Sequence, residues 1–115
     1  TPYLTSDPIV YLSPTKVKTT RTFFLAQNYP NPLSYNGRTT IRYGISSDNQ
    51  KVSLKIYDVT GRRVRTLVNK THKAGSFYVT WDGRNEQGNR VATGLYFCQL
   101  VMGNEKIAKK IVLLK

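Results

Sequence analysis

Apolar and polar residues alternate in short runs along most of this chain, the period-two pattern of strands with one buried face. In residues 39–45 the alternation places Ile41, Tyr43 and Ile45 on one side, and Asn36-Gly37 just upstream predicts a tight turn with positive φ angles. Residues 51–57 are cleaner: Val52, Leu54 and Ile56 point one way, Ser53, Lys55 and Tyr57 the other. The stretch "DVTGR", 58–62, predicts a turn with Gly61 in a left-handed conformation, returning the chain through 63–68 as a hairpin partner. Residues 76–81 direct Phe77, Val79 and Trp81 inward. "WDGRNEQGNR", 81–90, is too polar and glycine-rich for a strand and is expected to be a long surface connection. Residues 95–102 and 105–114 flank Gly103-Asn104, a two-residue loop suited to a closing hairpin.

Six or seven short strands and no 3.6-residue period predict an all-β fold, an antiparallel immunoglobulin-like β-sandwich of about seven strands. In the last strand neither Ile107, Lys109, Ile111, Leu113 nor Ala108, Lys110, Val112, Leu114 is wholly apolar, and a bulge near Lys109 and Lys110 is expected to reconcile them. Residues 1–22, with three prolines and an apolar patch at Ile9, Val10, Tyr11 and Leu12, read as a linker or the end of a preceding region that can add one edge strand. The folded domain is therefore assigned to residues 23–115. Just inside it, "AQNYPNP", 26–32, is neither helix nor central strand. Pro30 and Pro32 fix their own φ angles and push Tyr29 and Asn31 toward extended geometry, giving a stiff arm. Its expected role is to cap a sheet edge, with the Tyr29 ring on that edge and the Asn28 and Asn31 amides satisfying backbone groups the prolines leave unpaired. A recognition role is the alternative.

Length and charge narrow the classes. At 115 residues the chain supports one core, burying roughly 65% of its unfolded surface. Eighteen Lys and Arg against six Asp and Glu give a net charge of +12, so long-range attraction favours anionic partners. No apolar run is long enough to span a bilayer, and no basic-then-apolar leader begins at Thr1, so the chain as given reads as soluble; the missing initiator methionine is expected of a piece of something longer. The lone Cys98 forms no internal disulfide and leaves the compartment open.

The candidate chemical groups do not assemble into a catalytic set. Asp82, Asn85, Glu86 and Asn89 follow Trp81 and could gather around a cation. Calcium wants six to eight oxygens, however, and Arg84 and Arg90 compete for the carboxylates, so a core tryptophan followed by turn chemistry is the better reading. His72 lies in an expected loop between Lys70 and Lys73 with no carboxylate nearby, and Cys98 sits in an apolar strand, expected to be a buried, inert thiol. No metal and no cofactor are expected. Arg62, Arg63, Arg65, Lys70 and Lys73 form one basic cluster and Lys106, Lys109, Lys110 and Lys115 a second, suited to phosphate or uronate groups or to keeping strand edges soluble. Neither a recognition helix nor an RNP-like aromatic strand is present, so nucleic acid is not an expected partner. Asn69-Lys70-Thr71 matches the glycosylation triplet, a pattern too short to carry weight.

Four stretches occur in order: "LAQNYPNPLSYNGRTTIRY", "VSLKIYDVTGRRVRTLV", "AGSFYVTWDGRNEQGNRVATGLYFCQL" and "KKIVLLK". Together, over about 24–115, they resemble the C-terminal sorting domains of proteins exported by the type IX secretion system and the similar FlgD-like immunoglobulin modules. Two departures stand out: Leu33 replaces the usual phenylalanine after "YPNP", and Ser34-Tyr35-Asn36-Gly37 replaces a second "NP". The resemblance implies a non-catalytic address at the end of a larger secreted bacterial protein. It would be read by the outer-membrane translocon and its shuttle protein, at a secreted or cell-surface location reached through the periplasm. It also implies structural roles for Tyr29, Pro30, Asn31, Pro32, Gly61, Trp81, Asp82, Gly83, Gly94 and Tyr96. Recognition is expected at Lys109, Lys110, Ile111, Val112, Leu113, Leu114 and Lys115, by strand pairing with Ile111, Leu113 and Leu114 as apolar anchors. The alternative from a different class is an accessory spacer, or a binder of anionic cell-surface polysaccharide, within a multidomain secreted enzyme.

Overall fold

The computed structural model describes residues 22–115, which form eight strands in two facing sheets. The strands are β1 (Phe24–Leu25), β2 (Leu33–Ser34), β3 (Thr39–Ile45), β4 (Gln50–Tyr57), β5 (Arg63–His72), β6 (Gly75–Trp81), β7 (Gly94–Met102) and β8 (Glu105–Leu114). One sheet has the order β1-β3-β6, the other β2-β8-β7-β4-β5. The reading of residues 1–22 as a linker with an optional edge strand lies, but for Thr22, outside the described residues.

Alternation places the core where the pattern predicts. Ile41, Tyr43 and Ile45 of β3 and Val52, Leu54 and Ile56 of β4 are buried between the sheets, with Leu100, Ile111 and Leu113 from the closing hairpin. Trp81 is the largest fully buried side chain, its ring edge-on to Tyr96 at 5.5 Å between centroids. Each large core side chain of this kind contributes about 1.5–3 kcal/mol by leaving water.

Four local expectations are corrected. First, β8 pairs with β7 in unbroken register from Gly94↔Leu113 to Met102↔Glu105, with no bulge at Lys109 or Lys110. Lys109 stays on the inward face with Ile107, Ile111 and Leu113, half-buried, because its long stem lies along apolar surface while the ammonium reaches solvent. Second, the register shifts fall in β5, where Leu67 and Val64 lack partners on β4. Third, neither Asn36 nor Gly37 has positive φ; the turn is closed by the Gly37 N–H donating to the Ser34 carbonyl at 2.8 Å. Fourth, the sandwich is not wholly antiparallel, since the short β2 pairs in parallel with β8.

That parallel pair belongs to a strap formed by residues 24–34. β1 lies antiparallel to β3, and the Ala26 N–H continues the pairing to the Arg42 carbonyl. Tyr29 and Thr40 then exchange both backbone hydrogen bonds at 3.0 and 2.8 Å. The strap next crosses to the other sheet, where Leu33 and Ser34 lie beside Leu113 and Leu114. Gly44 has a reason to lack a side chain: the Phe24 ring sits where its Cβ would be.

Candidate functional site

The expected recognition strand is β8, and its chemistry depends on which atoms the strap leaves free. The Asn31 side-chain oxygen accepts the Val112 N–H at 2.9 Å, and the Gln27 amide donates to the Lys110 carbonyl at 2.7 Å. With β2 alongside, the outer edge of β8 is occupied at its C-terminal half. Asn28 is buried, donating to the Pro30 carbonyl and the Thr39 hydroxyl, and Thr39 in turn donates to Pro30. The Asn28 and Asn31 amides therefore satisfy backbone acceptors and donors at the edge, as the sequence predicts. The Tyr29 ring does not lie on the edge: it is 80% exposed, because only its backbone pairs with β3.

The Trp81 corner is built by turn chemistry. Trp81 donates its indole N–H to the Arg84 carbonyl at 2.9 Å, and Gly83, at φ +75, allows a left-handed reversal that a side chain would resist. The Asp82 carboxylate accepts the Arg84 N–H at 3.2 Å and the Arg65 guanidinium at 3.3 Å. The Asn85 side-chain oxygen accepts the N–H groups of Gln87 and Asn89, and Glu86 accepts the Thr66 N–H at 2.6 Å. Side-chain oxygens of Asp82, Asn85 and Glu86, three of the four residues considered as cation ligands, are thus engaged with donors from the protein itself. Arg90 donates to the Tyr35 carbonyl and lies over the Tyr35 ring at 5.3 Å, tying this loop to the turn after β2. Tyr96 donates to the Ala92 carbonyl at 2.6 Å, the back-bonded tyrosine of an immunoglobulin-type corner. Burial first, and then the Asp58 charge, push its pKa up.

In the β4–β5 turn the Asp58 carboxylate accepts from the Thr60 hydroxyl, the Thr60 N–H and the Arg62 N–H, with Gly61 at φ +88 as predicted. The Thr60 hydroxyl leads the contacts that lower its pKa. His72 is not in a loop but is the buried last residue of β5. Its Nδ1 donates to the Lys73 carbonyl, so in the neutral ring Nε2 accepts from the Tyr43 hydroxyl at 3.0 Å. Burial raises the Tyr43 pKa. Cys98 is buried as predicted, and desolvation pushes its thiol up to about 12, leaving no thiolate at neutral pH. His72 and Cys98 therefore serve as packing groups. Among the described residues no three His, Cys, Asp or Glu side chains gather as a metal site would require, and no helix is long and apolar enough to cross a membrane.

The sequence model of the FlgD Ig-like domain matches residues 31–105, well over half of the chain. The chain belongs to the FlgD Ig-like domain family. Solved structures resemble this FlgD-like module across most of its length. Dimeric latent PorU from Porphyromonas gingivalis is 25% identical over 76% of the module, with a TM-score of 0.60. PorZ of the same organism, described as an essential bacterial surface component of the type IX secretion system, is 22% identical over 90% of it, with a TM-score of 0.49. FlgD from P. aeruginosa is 20% identical over 71%, with a TM-score of 0.52. The module corresponds to 9% of the PorU chain, 13% of the PorZ chain and 64% of the FlgD chain. No curated protein sequence was found to match it.

Of the seven residues expected to be recognised, the FlgD-like fold presents only some. Ile111 and Leu113 are fully buried and complete the core, so they are not available as docking anchors in the folded module. Strand pairing at 111–114 is likewise closed by Asn31 and β2. Lys110, Leu114 and Lys115 are exposed, Lys109 and Val112 partly so. The basic clusters are also divided: Arg65 is held by Asp82 and Arg62 lies 3.6 Å from Asp58, while Arg63, Lys106 and Lys110 remain exposed. Sequence reasoning missed Leu33, whose burial opposite the strand end the "YPNP" context did not signal, and Gln27, an exposed polar residue with no pattern of its own.

Proposed function

We propose that this FlgD-like module is a non-catalytic export and surface-sorting signal of a larger secreted bacterial protein, recognised by the type IX translocon and its shuttle protein at the outer membrane. The observation that carries the reading is the ordered set of four sequence stretches, supported by 25% identity to part of PorU over 76% of the chain. Because Ile111 and Leu113 are core residues, recognition is assigned to the folded surface around Lys110, Val112, Leu114 and Lys115 rather than to a detached final strand.

The test is a reporter enzyme fused ahead of residue 1 and expressed in a type IX-secreting bacterium, with the Ig-like domain of a flagellar FlgD as fold control. Export with this module and periplasmic retention with the control is the expected outcome; retention of both refutes the reading. Deleting 109–115 is a poor test, since it opens the core. A second reading, an accessory spacer or anionic-glycan binder in a multidomain secreted enzyme, rests on the FlgD Ig-like family match and the exposed Arg63, Lys106 and Lys110. Salt-sensitive retention on polygalacturonate, together with failed export, would favour it.

A further inference from the structure

Strand β7 is apolar on its inner face and largely apolar on its outer one. Tyr96, Cys98, Leu100 and Met102 point into the core, yet Leu95, Phe97 and Val101 point the other way, to the outside of the five-stranded sheet, interrupted there by Gln99 alone. A strand with one wetted face normally alternates, and a strand apolar on both sides is one that is covered on both. The outward residues do not stand alone. Phe97 is the register partner of Tyr57 on β4, and Leu95 that of Val112 on β8. Val59, 66% exposed in the turn beyond Tyr57, and Leu114, 50% exposed beyond Val112, extend the row at either end. An apolar band thus crosses the sheet from the β4–β5 turn to the end of β8. A shallow groove of about 440 Å³ lies along it between Val59, Tyr57, Phe97 and Ala108.

The rim of this band is cationic. Lys110 is the register partner of Phe97, Arg63 that of Tyr57, and Lys55 that of Gln99, all on the same outer face. Asp58, the carboxylate that lines the groove, is occupied by Thr60 and Arg62, and Glu86, near the Arg63 end of the rim, accepts the Thr66 N–H. Two copies of this chain meeting face to face would set these cations against each other, which disfavours self-association. Cations in the plane of an apolar centre, on a flat sheet rather than a protruding loop, match the centre-and-rim anatomy of a protein–protein contact rather than an inserted membrane wedge.

We propose that the outer face of the five-stranded sheet is a docking surface for a protein partner with an apolar centre and a carboxylate rim. The apolar band carries the contact and Lys55, Arg63 and Lys110 select the partner's charge. The proposal deepens the sorting reading, on which it rests for the setting of its test.

The experiment uses the reporter fusion of the whole chain in a type IX-secreting bacterium, with photoreactive p-benzoylphenylalanine in place of Ala108 on this face or of Tyr78 on the other sheet. The expected result is an adduct at 108, absent at 78, with one identified protein whose joined peptide is rich in Asp and Glu. It should fall roughly tenfold with Lys55→Glu and Lys110→Glu combined, and also with Val59→Ser and Leu114→Ser, both exposed and safe for folding. An adduct with lipid, with polysaccharide, with a second copy or with a non-acidic peptide overturns the proposal, as does equal capture at 78 or none at 108. If the reporter is never exported, the sorting reading falls whatever is captured; if it is exported while capture maps to 78, the docking face falls and sorting stands.

Discussion

The two long sides of the sandwich are closed by different means. On one side the strap of residues 24–34 runs along β3 and then β8, burying Leu25, Asn28 and Leu33 and occupying the edges of both sheets. On the other side β5 and β6 end their sheets without a further described strand. They are joined by Lys73-Ala74, a short link that crosses from one sheet to the other, with the Tyr43, His72 and Phe77 rings packed behind it. There Leu67, Val68, Phe77 and Val79 stay half-buried around a cleft of about 340 Å³. Tight closure accompanies added backbone pairing from a separate segment; the looser side relies on side chains and on two register shifts in β5, which blunt its exposed edge.

The comparison can be broken most forcefully at Leu33. Leu33→Ala removes a fully buried side chain from the strapped side and is expected to cost about 2–5 kcal/mol in urea unfolding, whereas Leu67→Ala on the open side should cost about 1 kcal/mol or less. Equal costs would mean the two sides are closed alike. Next in size is Gly44→Ala, which forces the Phe24 ring off β3 at about 1–3 kcal/mol. Faster hydrogen exchange at Ala26 and Tyr29, with β5 amides unchanged, would locate the damage in the strap. Smaller still, Asn31→Ala strips the Val112 N–H of its acceptor and should cost about 0.5–1.5 kcal/mol, read as faster exchange at Val112 alone. The smallest effect belongs to the turn that holds β5. Asp58 has a folded pKa below its usual value of 3.8, so its stabilising bonds are complete above that pH and are lost as pH falls through the lowered folded value. Protection of the Thr60 and Arg62 amides, taken relative to their intrinsic exchange rates, should fall as pH drops below about 4 while that of the strap amides holds, and Asp58→Asn should abolish this pH dependence.

Alternation made the interior legible. The inward residues of β3, β4 and β6 were each readable because one polar and one apolar face leave a single solution, and Gly103-Asn104 closes the last hairpin as its turn chemistry demands. Edges were not legible in the same way. Nothing in the local pattern of "YPNP" says that it lies beside a strand 81 positions later, and the mixed faces of β8 invited a bulge where a half-buried lysine sufficed. The same limit applies to the expected anchors. Ile111 and Leu113 look like free anchors at the end of a sequence, but only the opposing sheet decides whether an apolar residue is a handle or a keystone.

The joining of Asn31 to Val112 has a consequence for how the molecule is made. A contact between such distant positions forms late, after the intervening chain has found its place. Until residues 111–113 arrive, the interior lacks a row and the seam beside the strap stands open, so the finished shape reports that synthesis has reached this point.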